Sequence, residues 1–202
     1  AAANHPANSY YETAVTSNQS VAISAGGDKT TYKVGYTRVD EKGVLPNSSI
    51  DRNMINFTAS SELAKRMTLT TSANFTRIDG IGRYGTGYNG RNPNQTFRQW
   101  WQTNVDIKEQ REAYFRDRQN VTWNWNAAGT GPLYSDNPYW SRYENYSNDS
   151  RNHFFGYATL NYDVTDWFSV LGRAAYDGTT DFQEERIAVG SSDPGQYLRF
   201  DR

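Results

Sequence analysis

The chain has 202 residues, a formal charge of -1 and no cysteine. Disulfide frameworks, thiolate metal sites and cysteine nucleophiles are therefore excluded, and the charge balance argues against a general nucleic-acid binder. With 36% apolar residues, a mean hydropathy of -0.87 and 15 Tyr, 9 Phe and 6 Trp, it is too aromatic for a disordered chain. It is also too polar for a covered α/β core, which leaves a loop-rich soluble β protein or a membrane β-barrel with strands apolar on one face.

Residues 1–17, AAANHPANSYYETAVTS, lack a basic stretch followed by an apolar core. They read as a lead-in and not as a signal peptide; a signal already removed and an internal piece of a larger chain both fit. No stretch approaches the roughly 20 apolar residues that a transmembrane helix needs.

Beyond this lead-in, period-2 alternation dominates. Val21, Ile23 and Ala25 alternate with Ser20, Ala22 and Ser24, then Tyr32, Val34 and Tyr36 with Lys33, Gly35 and Thr37. Ile55, Phe57 and Ala59 alternate with Asn56, Thr58 and Ser60. MTLTTSANFT puts Met67, Leu69, Thr71, Ala73 and Phe75 on one face and five Thr, Ser and Asn residues on the other. Phe154 to Tyr162 and Phe168 to Tyr176 repeat the rhythm, although Phe155, Tyr157 and Leu171 put apolar bulk on the wetter face. Successive strand residues point to opposite sides, so six antiparallel strands are predicted, each greasy on one face. No charged residue falls on these greasy faces, as either a lipid-facing wall or a sandwich core demands.

The predicted connections alternate in length. GGDK is short, EKGVLPNSSID long, SELAKR short, about Gly80 to Ser150 very long, and DVTD short. Turns at one end and loops at the other are the habit of outer-membrane barrels. Phe75, Phe154 and Tyr176 lie at one set of strand ends and Tyr162 and Phe168 at the other, as two interfacial belts would. Packing aromatics of a soluble core explain them equally well.

The long insertion is too large to be structureless. Pro93 and Asn94 start a helix whose apolar residues Phe97, Trp100, Trp101 and Val105, then Ile107, Tyr114 and Phe115, keep helical spacing. WNWNAAGTGPLYSDNPYW reads as an aromatic-rich loop with several turn signals.

Within the insertion, GTGYNG (Gly85 to Gly90) fits the G-x-G-x-x-G of dinucleotide-binding turns, with Asp106 downstream where a ribose-binding acid would stand. The match fails on two counts. The preceding strand is polar on one face, unlike a strand covered on both, and Arg91-Asn92-Pro93 separate the glycines from any helix N-terminus. Gly82, Gly85, Gly87 and Gly90 read instead as flexible points at the base of a long loop. His5 and His153 belong to no metal or triad signature, and Glu184-Glu185 and Asp106 with Glu109 read as solvated charge. No cofactor, metal or catalytic group is expected. Trp100, Trp101, Trp123, Trp125, Tyr139 and Trp140 form the candidate ligand-binding set, because flat aromatic faces suit sugars or peptides. Packing within a folded loop is the competing account.

SVAISAGGDKTTYKVGYTRVDEKGVLPNSSIDRNMINFTAS resembles the early barrel of SusC/RagA-like TonB-dependent outer-membrane transporters. FRQWWQTNVDIKEQREAYF, NPYWSRYENYSNDSRNHFFGY and LNYDVTDWFSVLGRAAYD are similar to later segments of that family, in the same order. The resemblance implies about six strands of a plugged, roughly 22-stranded transmembrane β-barrel in the outer membrane of a Gram-negative, Bacteroidetes-type bacterium. It further implies TonB-driven import of oligosaccharides or peptides with a SusD-like surface lipoprotein, and no enzymatic activity. Residues 18–177 would be barrel, with 79–151 a long extracellular loop containing a short helix, and 178–202 the start of the next loop. Lys33, Thr37, Asn56, Thr58, Thr70, Asn74 and Asn161 would line the lumen. Six strands cannot close such a barrel, so a longer parent chain is expected. The alternatives are a soluble carbohydrate-binding β-sandwich module and an all-β glycoside hydrolase.

Overall fold

A computed structural model describes residues 2–83 and 85–192. The architecture is a single six-stranded antiparallel sheet in strict sequence order: β1 (Val15–Gly26), β2 (Thr30–Lys42), β3 (Ser49–Ala64), β4 (Met67–Ile81), β5 (Ser147–Asp163) and β6 (Ser169–Glu185). Between β4 and β5 lie three short helices, α1 (Pro93–Gln99), α2 (Ile107–Asp117) and α3 (Pro138–Glu144). No described helix is long and apolar enough to cross a membrane.

All six expected strands form, and their register joins the greasy faces into one surface. Val21 pairs with Tyr36, Tyr36 with Ile55, Ile55 with Phe75 and Phe75 with Phe154. The next row runs Ile23, Val34, Phe57, Ala73, Gly156 and Tyr176 across all six strands. A one-residue slip in any pair would move that strand's apolar set to the opposite face, so the rows fix the register. The face carries no covering layer among the described residues: Ile23 is 65% exposed and Val170 49%. From Met67 to Phe75 it spans eight residue steps, about 27 Å along the strand.

The opposite face is polar. Asn56 donates its amide to Asn74 Oδ1 at 2.8 Å, and Arg173 Nε donates to Thr159 Oγ1 at 2.9 Å. His153 meets Asp177 at 2.8 Å, and Arg151 holds Asp181.

Several boundaries differ from the sequence reading. SELAKR shrinks to a two-residue turn, Lys65-Arg66, because Ser61 to Ala64 continue β3 past an irregularity between Glu62 and Ala64. Arg66 takes the left-handed conformation, φ 70, that so tight a reversal demands. Residues 178–185, expected in the next loop, pair along β5 as strand, and the remainder of that expected loop beyond 192 lies outside the described residues. At the other end, Val15 to Ser17 of the lead-in already belong to β1. The long insertion narrows to 82–146, between the last residue of β4 and the first of β5.

Longer strands also change the chemistry of the greasy face. Where the alternation ended at Thr37 and Thr76, β2 and β4 in fact continue, adding Arg38, Asp40, Arg77 and Asp79. These lie on the even positions of β2 and the odd positions of β4, on the same side as Tyr36 and Phe75. The face that is uncharged through its middle therefore ends in charge towards the long connections.

The expected single helix is three. Asn92, Asp106 and Asn137 each cap a helix by accepting from backbone N–H groups of its first turn, and Pro93 and Pro138 occupy first helical positions. Trp100 ends α1 and Val105 lies outside any helix, so the run from Phe97 to Val105 is not continuous. Pro138 to Glu144, read as loop, is α3.

Candidate functional site

The insertion folds into a cap at the long-connection end of the sheet, around its own aromatic core. Tyr10, Leu45, Ile107, Tyr114, Tyr139 and Trp140 are buried there, with Phe97, Trp101, Phe115 and Tyr143 against them. Rings meet edge to face: Tyr10 packs on Phe97 at 5.0 Å and on Tyr139 at 5.1 Å between centroids. Burial pushes the phenols of Tyr114 and Tyr139 up to about 12 and that of Tyr10 well above its ordinary value, so the core stays uncharged.

Polar side chains tie the cap together and to the sheet. Asn137, fully buried, caps α3 and donates its amide to the carbonyls of Gln110 at 2.7 Å and Val121 at 2.8 Å. Arg142, also buried, has no carboxylate partner among the described residues; it donates to the carbonyls of Pro46 (2.9 Å), Asn47 (3.2 Å) and Gly82 (2.5 Å). Burial lowers its pKa, while the nearby Tyr10 and Tyr143 oppose the shift. Asp136 accepts from Asn120 Nδ2, Ser191 Oγ and the Ser192 N–H at 2.6 to 2.9 Å, fastening the segment after β6 to the cap. At the other terminus His5 bonds Asp106, and the Ile107 N–H donates to the His5 carbonyl at 3.0 Å.

This packing revises two expectations. Gly82 is not a flexible point: its φ is 71, and an added Cβ would stand 1.8 Å from the Asn47 carbonyl oxygen. Gly87, at φ 60, has no atom within 4 Å of such a Cβ, and its carbonyl accepts from Asn92 Nδ2 at 2.9 Å. Asp106, read as solvated charge, is instead a helix cap and histidine partner with its side chain only 13% exposed.

The six candidate aromatics differ in burial. Tyr139 and Trp140 are core residues, 5% exposed, and present no ring face to a ligand. Trp101 and Trp123 are half-buried and meet edge to face at 4.6 Å. Trp100 is half-buried as well, and Trp125 is 47% exposed. Trp100 stacks on Tyr134, with centroids 4.5 Å apart and planes 15° from parallel, and its carbonyl accepts from Trp123 Nε1 at 3.2 Å. Trp125 pairs with Pro132 in a small hairpin, which displays Leu133 and Tyr134 beside it. The Trp100–Tyr134 stack, with Tyr134 55% exposed, is an aromatic platform able to take the flat face of a sugar or an apolar peptide side chain.

Tyr134, Tyr10 and Arg142 are not singled out by sequence reasoning. Asn137-Pro138 carries a usable signal, since an Asx cap followed by proline opens a helix. With α3 recognised from it, Arg142 would fall within that helix. Nothing local marks Tyr10, whose burial depends on residues about 100 positions away.

Among the described residues no group of three or more His, Asp or Glu side chains could hold a metal ion. Comparison of the chain with protein-family models and with curated proteins finds no match.

Proposed function

We propose that the sheet is a stretch of the wall of a TonB-dependent outer-membrane importer for oligosaccharides or peptides, working with a SusD-like surface lipoprotein. The carrying observation is the apolar face, in register over six strands and largely exposed, from Ile23 at 65% to Phe57 at 37%, with β4 half-buried. Along β4 it runs from Met67 to Phe75, nine residues, within the roughly 9–11 that a tilted strand needs to cross a bilayer. In water a patch of this size greatly exceeds what monomeric proteins expose. Aromatics rim it at both ends, Tyr36, Phe75 and Phe154 on one side and Tyr162 and Phe168 on the other.

In this reading the polar face, with Lys33, Thr58, Asn56 and Asn74, lines the lumen. The two-residue and other short turns face the periplasm, and the cap stands outside, where the Trp100–Tyr134 platform offers cargo its first aromatic contact. The wall binds and guides; no bond is made or broken by it, and the energy comes from TonB through other parts of such a transporter.

The test is topological. In the full-length protein in intact cells, cysteines replacing Gly87 and Lys65 should label from opposite sides of the outer membrane. Labelling of both from outside, or recovery of the protein as a soluble monomer, would reject the reading.

A further inference from the structure

We infer that a groove on the cap, formed by Tyr88 and one face of α1, is a subsite for a uronate sugar residue, with Arg98 as the carboxylate ligand. This rests on the reading of the cap as the cargo-facing end of an importer, and it assigns that cargo to the acidic oligosaccharides. Asn94 and Arg98, and Gln95 and Gln99, are i, i+4 pairs on α1, so the four side chains share one face of the helix. Pro93 and Thr96 are buried on the other. The same four, with Tyr88 and Asn92, line a cavity of about 470 Å³. That volume lies within the roughly 300–1,000 Å³ of small-molecule sites.

The lining holds one cation and no acid. Arg98 makes no ion pair and no hydrogen bond among the described residues, and no Asp or Glu lines the groove. The hydrogen bonds lean the same way. Gln95 donates to Gln99 Oε1 at 2.8 Å, and Gln99 donates to the Tyr88 hydroxyl at 3.1 Å. Asn94 Oδ1 accepts from the Tyr11 hydroxyl. These bonds use up acceptors and leave donors: the second amide N–H of Gln95 and of Gln99, both of Asn94, the Tyr88 O–H and the whole Arg98 fork. Asn92 is occupied by the backbone, accepting from the Asn94 N–H and donating to the Gly87 carbonyl beside Tyr88. A groove rich in donors and carrying one free positive charge selects a ligand rich in acceptors and negatively charged.

Tyr88 narrows that ligand to a sugar. The residue is 77% exposed, and its ring packs on no other ring among the described residues. A sugar stacks its C–H face on such a ring and offers its hydroxyl oxygens to the amides. A carboxylate at its edge meets the planar guanidinium in a fork of two parallel bonds. Gln99 ends α1 and Trp100 caps it, so the groove and the Trp100–Tyr134 stack are borne by the same helix end. The stack is uncharged and reads shape; the groove adds the choice of charge.

The experiment uses the full-length protein, purified in detergent and fluorescently labelled, on an array of uronate-containing oligosaccharides and their carboxyl-reduced counterparts. Wild type should bind the uronate members about tenfold or more tightly, a preference that added salt weakens. Arg98→Gln should lose that preference and keep the binding of the reduced members. Arg98→Lys, which keeps the charge without the fork, should fall between. Tyr88→Ala should weaken both kinds by about 2–10-fold. Arg116→Gln, at an exposed position of α2, should match wild type. Equal binding of uronate and reduced members by wild type, binding of neither, or an unchanged preference in Arg98→Gln would overturn the subsite. Same-side labelling of the cysteines replacing Gly87 and Lys65 would instead reject the importer reading itself, so the two failures are distinguishable.

Discussion

Arg142, on α3 of the cap, donates its Nε to the carbonyl oxygen of Pro46 in the β2–β3 connection at 2.9 Å. The same guanidinium reaches Asn47 and Gly82, so one buried cation joins two connections of the sheet to the insertion. Replacing it with Met should leave three carbonyls short of a donor, at about 1–3 kcal/mol for each that water cannot reach. Hydrogen exchange on the full-length protein should show cap amides opening faster by about tenfold or more. Arg116→Met, at an exposed position of α2, should leave exchange unchanged.

Asn137 offers a second lever on the same element. Asn137→Ala removes the cap of α3, worth about 1 kcal/mol, and strips the Gln110 and Val121 carbonyls of their donor. A combined loss of about 2–4 kcal/mol is expected, visible as faster proteolysis between α2 and α3 and a changed tryptophan emission. Asn137→Asp keeps the acceptor but not the amide donor, and should fall between.

Gly82 and Gly87 both have positive φ, yet their substitutions should part company. Gly87→Ala meets open space and should cost about 1 kcal/mol from the backbone alone. Gly82→Ala drives a methyl into the Asn47 carbonyl and should abolish the Arg142 anchor as well. Exchange protection of the cap, compared between the two variants, checks this.

For cargo, the aromatic platform makes a graded prediction. Trp100→Ala and Tyr134→Ala should each weaken binding of a stacking oligosaccharide by about 2–10-fold, the value of a lost aromatic contact. The cap should remain folded, because both residues lie outside its buried core. Calorimetric titration with the oligosaccharide measures the affinity, and circular dichroism verifies the fold.

Acid should release the N-terminal tie. Burial pushes the Asp106 carboxyl up, but hydrogen bonds from His5 and the Lys108 N–H outweigh it, and the net shift is downward. A depressed carboxyl contributes stability that is complete above the unfolded value of about 3.9 and disappears as pH falls through the folded value. Proteolysis within residues 2–10 should therefore accelerate on acidification below about pH 4. Asp106→Asn should show that susceptibility already at neutral pH, with a flatter acid limb.

Strands are the legible part of this chain, because a one-sided sheet writes its faces directly into alternate residues. Met67 to Phe75 is read without ambiguity for that reason. Strand ends are not legible: past Thr37 and Thr76 the alternation inverts, with Val39 and Ile78 on the opposite face from Arg38, Asp40, Arg77 and Asp79, so the greasy run that marks the strand stops there. The cap is half legible. Its aromatic content announces a folded unit, but which rings face inward depends on partners such as Tyr10, far off in sequence. Hence Tyr139 and Trp140 look like ligand contacts and are core, while Tyr134, the stacking partner of Trp100, carries no local signal.

Arg142 grips main-chain oxygens of the connections it joins, and the Asn47 side chain answers by donating its amide to the Arg142 carbonyl at 3.0 Å. Such a latch asks for Asn47, whose amide it uses and whose φ of 52 is left-handed, and for Gly82, and leaves the other residue types beneath it free. The wall and the insertion are thus free to diverge separately. A cap of another specificity could be grafted onto the same six strands, if it brought its own arginine to the same three carbonyls.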